Sequence, residues 1–96
     1  MPSVISALAQ HYPAVINRMP SPFTAHEFIQ SLTQEHQALY IDALHHYRNS
    51  PEPFTTVHQQ LGAQLLEHPH LIRKIGNKDS KTLFDTDSIV SEWEKI

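Results

Sequence analysis

Eight histidines are the residues of this chain best suited to chemistry. Histidine titrates near pH ~6.5, serves as acid or base, and ligates metals. The closest pairs are His45-His46 and His68-Pro-His70, with Asp42 and Glu67 as the nearest carboxylates. Neither pair has the spacing of a specific ligand motif, and helical neighbours at 45 and 46 point in different directions. No metal is therefore assigned. Serine, histidine and aspartate all occur, but a triad is defined by geometry, not composition. No His-Glu-x-x-His, nucleophile elbow or Gly-rich phosphate loop is present, and the chain holds only two glycines. The expectation is a non-enzymatic protein without a cofactor. With no cysteine, disulfides, thiolate metal sites and cysteine nucleophiles are excluded.

The second chemical feature is charge. The net charge is −3 with neutral histidines, against the basic balance of a nucleic-acid binder. Positive charge is nevertheless concentrated. Residues 1–70 hold only Arg18 and Arg48, and then come Arg73, Lys74, Lys78 and Lys81, followed by Asp85, Asp87, Glu92 and Glu94. Such a basic stretch suits phosphate, an acidic protein, or a strand edge kept from aggregating. At 96 residues the chain reads as one small domain, helical over about 3–67, with a hairpin and C-terminal segment over about 71–96. No run reaches the ~18 apolar residues of a membrane span. The N-terminus lacks the basic start of a signal peptide. These features, with the absence of cysteine, give a cytoplasmic expectation.

The elements that must position these groups are mostly helical. Ser3 caps a helix over 4–11, broken near His11-Tyr12-Pro13 and resumed to Arg18. Phe23-Thr-Ala-His-Glu-Phe28 holds a capping box, Thr24 with Glu27, and a staple between Phe23 and Phe28. That helix runs to about Leu32. Thr33 then caps a run over 34–48, with Leu39, Tyr40, Ala43, Leu44 and Tyr47 along one face and Ile41 off the stripe. Pro53-Phe-Thr repeats the earlier entry device, so Thr55 is expected to cap a helix holding Val57, Leu61 and Leu65 inward. His58, Gln59, Gln60 and Gln64 are then outward. Gly62 mid-helix suggests close approach of another helix. Leu71 to Gly76 and Lys81 to Phe84 read as two strands around an Asn77–Ser80 turn. Ile89, Val90 and Trp93 suit a short terminal helix capped at Asp87 or Ser88, with a strand as the alternative. Trp93 is expected in the core.

The fold class is thus mainly α with a small C-terminal β-hairpin. Helices running into a basic hairpin resemble the winged-helix family of helix-turn-helix proteins over residues 23–84. The resemblance implies a three- to five-helix domain in which 34–48 supports, 55–66 is the recognition helix and 71–84 the wing. In a DNA-binding member, His58, Gln59, Gln60 and Gln64 would face bases, and Arg73, Lys74, Lys78 and Lys81 would reach phosphates. The candidate recognition helix, however, carries no Lys or Arg and ends at Glu67. Winged helices also serve as protein-interaction modules, a role without a charge penalty. The chemistry therefore favours a small interaction or regulatory module whose partner is another protein or a second copy, with a DNA-binding regulator as the first alternative and a histidine-dependent metal-binding protein as the remoter one.

Overall fold

The computed structural model describes residues 4–81 and 87–96, with side chains described over 4–79 and 89–96. Helix α1 (Val4–Ala9) and helix α2 (Tyr12–Arg18) flank the break at His11. Pro13 sits in the first turn of α2, where no N–H is needed. The expected Ser3 cap lies outside the described residues.

Strand β1 (Phe23–Thr24) leads directly into α3 (Ala25–Glu35). The capping box forms as its spacing requires: the Thr24 hydroxyl accepts from the Glu27 N–H at 3.2 Å, and the Glu27 carboxylate accepts from the Thr24 N–H at 2.9 Å. Phe23 and Phe28 are both fully buried, with ring centroids 6.0 Å apart.

Helix α3 continues past Leu32, so Thr33 is not a cap. Its hydroxyl is buried and donates back to the Ile29 carbonyl at 2.8 Å. The break falls at His36, and α4 (Gln37–His46) is shorter than the expected run over 34–48. Of that run's apolar stripe only Ala43 is fully buried; Leu39, Tyr40, Leu44 and Tyr47 pack partly buried against the core.

Helix α5 (Pro53–Gln64) begins two residues before Thr55, with Pro53 at its first position and no side-chain cap. Proline already holds the dihedral that a first helical residue needs, so the start does not depend on a threonine. A short 3₁₀ turn (Leu65–Glu67) follows. Val57, Leu61 and Leu65 are fully buried. The Tyr12 hydroxyl donates to the Leu61 carbonyl at 2.5 Å, joining α2 to α5, and burial pushes its pKa up. Gly62 does not mark a close helix approach: a Cβ built there meets nothing within 4 Å.

The hairpin is longer than the sequence suggests. Strand β2 (Ile72–Lys81) runs straight through the expected Asn77–Ser80 turn, and its partner is β3 (Asp87–Lys95) rather than Lys81–Phe84. The C-terminal segment is this strand, not a helix. The expected inward packing of Phe84 falls outside the described residues.

The sheet order is β1-β3-β2, antiparallel throughout, with Phe23 opposite Trp93 and Thr24 opposite Glu92. The register of β2 on β3 slips at Lys74/Gly76, leaving Ile75 as the extra residue of a β-bulge. Gly76 adopts φ +157°, which side-chain-bearing residues rarely take. Trp93 and Ile72 join the helical core, so the root of the hairpin is welded to the helices. With five α-helices among the described residues and a short first strand closing onto the hairpin, the architecture is winged-helix-like.

Candidate interaction face

The face expected to contact a partner is built from α5 and the hairpin. On α5, Gln59 and Gln60 are exposed, whereas His58 and Gln64 are only half-exposed. His58 is not a free outward group. Its Nε2 lies 2.7 Å from the Tyr40 hydroxyl, and the two rings stack at a centroid distance of 5.8 Å. Burial, and after it the nearby His26, lowers the His58 pKa, so the ring is neutral at pH 7. Burial likewise raises the pKa of Tyr40.

On the hairpin, Arg73, Lys74 and Lys78 are exposed. The side chain of Lys81 lies outside the described residues; its backbone sits opposite Asp87. Antiparallel pairing sets acids against this basic stretch. Arg73 makes an ion pair with Glu94 directly across the ladder. Glu92 faces Gly76, two residues beyond Lys74, and Asp79 follows Lys78 in the chain. The positive run in the sequence therefore becomes a mixed-charge ribbon once β3 lies beside it.

Between α5 and the hairpin the structure holds a groove of about 650 Å³. Thr55, Gln59, Gly62 and Ala63 line it from α5, spaced by three and four so that they share one stripe. Ala25, His26 and Ile29 line it from α3, and Ile89, Val90 and Ser91 from β3. Phe54 and Glu52 close one end. Ile89 is 73% exposed, so a large apolar group stands open to solvent at the groove, whereas the Phe54 ring lies against that of His58 with centroids 6.2 Å apart. Among the described residues that line it, Glu52 is the one Asp, Glu, Lys or Arg.

Of the residues singled out from sequence, His58 and Gln59 line this groove, while Gln60, Gln64, Arg73, Lys74 and Lys78 do not. Phe54, Gly62, Ile89 and Val90 were assigned no binding role. The mid-helix Gly62, expected to mark a close helix approach, is the one signal of this groove that the sequence carries. The rest depends on β3 returning beside α5, which no local pattern reveals.

Of the two closest histidine pairs, His45 and His46 are exposed on α4, whereas His68 packs against a ring of the core. His11 stacks on His36 at 3.9 Å, and His68 stacks on Tyr12 at 5.4 Å with His70 nearby. Among the described residues no group of three or more His, Asp or Glu is placed to hold a metal ion. No described helix is long and apolar enough to cross a membrane.

No protein-family model matches the chain, and comparisons with curated proteins and with solved structures find no significant match either.

Proposed function

We propose that this domain is a non-enzymatic protein-interaction module of regulatory type, and that it binds its partner through the groove between α5 and β3. The observation carrying this reading is the groove itself: the exposed Ile89 beside Ile29, Ala63 and Val90, with Glu52 the one carboxylate among the described lining residues. Exposed apolar residues gathered in a concavity suit burial against another protein. Phosphate recognition calls for the opposite, an uncompensated positive field. Here α5 has no Lys or Arg, and Arg73 is already paired with Glu94.

Titration with duplex DNA at low and at moderate salt tests the choice. The expected result is no salt-dependent binding. Saturable binding that weakens steeply as salt rises would overturn the proposal, and would move the function to Gln59, Gln60 and the exposed Lys74 and Lys78.

A further inference from the structure

The groove has a wall of unusual kind, because β3 presents part of its backbone edge there. Strand β1 is two residues long and covers β3 only opposite Trp93 and Glu92. At the root, the Lys95 N–H donates to the Ser21 hydroxyl at 3.0 Å, so the chain entering β1 also covers that end. Beyond Glu92 the chain turns away into α3 at Ala25. Among the described residues no strand lies beside Asp87–Ser91 on this edge, although β2 pairs with them on the other. Ile89, Val90 and Ser91 are also the β3 residues that line the groove.

An unpaired strand edge is a template for another strand. Proteins commonly blunt such edges with proline, inward charges or a covering helix. Here the segment Ile89-Val90-Ser91 carries no proline and no charge, and it borders the groove. The α5 stripe opposite supplies small residues, Gly62 and Ala63, where a larger residue would fill the groove.

Resting on the interaction reading above, we infer that the groove takes an extended segment of a partner protein, which adds a strand to β3 in the row that β1 vacates. Its backbone pairs with Ile89–Ser91. Its side chains alternate between the α5–α3 side, where an apolar group meets Ile29 and Ala63, and solvent. Charge selects its composition. Glu52 is the one carboxylate among the described residues lining the groove, so the segment carries a Lys or Arg beside it and no acidic residue there. Main-chain bonds provide affinity in this mode and alternate side chains provide specificity.

Selection of a displayed random-peptide library on the full chain tests this. The winners should be β-branched or aromatic with one basic residue, and they should shift the amide resonances of Ile89, Val90 and Ser91. N-methylation at alternate backbone positions of a selected peptide should abolish binding when the methyl groups face β3, and not when they are moved by one residue. Glu52→Lys should weaken binding by roughly fivefold, the scale of one exposed ion pair. Groove binding that tolerates both N-methylation patterns overturns strand addition and leaves the interaction reading standing. Selection of no peptide, of groove-independent peptides, or self-association mapping to Ile89–Ser91 overturns the inference. Salt-dependent DNA binding at this face overturns both.

Discussion

Tyr40 and His58 meet across the α4–α5 interface with hydroxyl and Nε2 2.7 Å apart. This contact turns a residue of the candidate recognition helix into a structural one. Tyr40→Phe removes the hydroxyl while keeping the ring stack. It should destabilise the domain by about 1 kcal/mol, the usual net value of one such bond. Urea unfolding of the two proteins checks this. An unchanged midpoint would mean that water replaces the tyrosine at no cost.

Gly62 separates stability from binding. It sits inside α5, where alanine is favoured over glycine by about 1 kcal/mol, and the site of a new Cβ is open. Gly62→Ala should therefore raise the thermal midpoint. The same methyl group intrudes on the groove, so any ligand there should bind more weakly. Melting curves and a titration on one sample read both effects, and a stabilised variant with tighter binding would contradict the assignment of the groove.

The two Pro-Phe-Thr entries are alike in sequence and different in physics. Thr24 caps α3 through a reciprocal box, whereas α5 starts at Pro53. Thr24→Ala should cost about 1 kcal/mol or somewhat more, because the residue is also buried in β1. Thr55→Ala, at an exposed position inside the first turn, should stay within about 0.5 kcal/mol of the parent. Equal losses in denaturant unfolding would show that Thr55 also serves as a cap.

Acid should destabilise the fold from an early point. His36, His58 and His68 all have pKa values lowered by burial in the first place, and then by the neighbouring His11, His26 and His70 respectively. The unfolded chain thus binds protons before the folded one does. Stability is complete above the ordinary histidine pKa near 6.5 and falls as pH drops from there through the lowered values. Unfolding midpoints measured from pH 8 to 5 should decline over this window, and His36→Gln should make the decline shallower. A flat profile down to the carboxylate range would rule the histidines out as its cause.

What could be read directly from the sequence was whatever rested on contacts a few residues apart. The Thr24–Glu27 box, the Phe23–Phe28 staple and the break before Pro13 all formed in place. The hairpin was misjudged because Asn77-Lys-Asp-Ser80 resembles a turn in composition. These residues instead belong to a strand whose side chains at 77–79 are exposed, so burial imposes no alternation for sequence to reveal. Ile89, Val90 and Trp93 fit a helical spacing equally well, and only pairing with β2 decides for a strand. Thr33 looked like a cap because threonine often is one, but a buried hydroxyl can bond back within its own helix. The groove needed three distant elements and was beyond any local pattern.

Glu92 marks a line across the sheet. On one side of it, β1 ends opposite Glu92; on the other, the β2 bulge resolves at Gly76, also opposite Glu92. Toward the root the ribbon is three strands wide and rooted in Trp93 and Ile72; past the line it is two strands wide. The arm past this line still reaches the helices, because Val90 is buried in the same core. Residues 92 and 93 of β3 have a strand on each side and residues 87–91 have β2 alone, so backbone amide exchange should step at Glu92 rather than grade smoothly along β3.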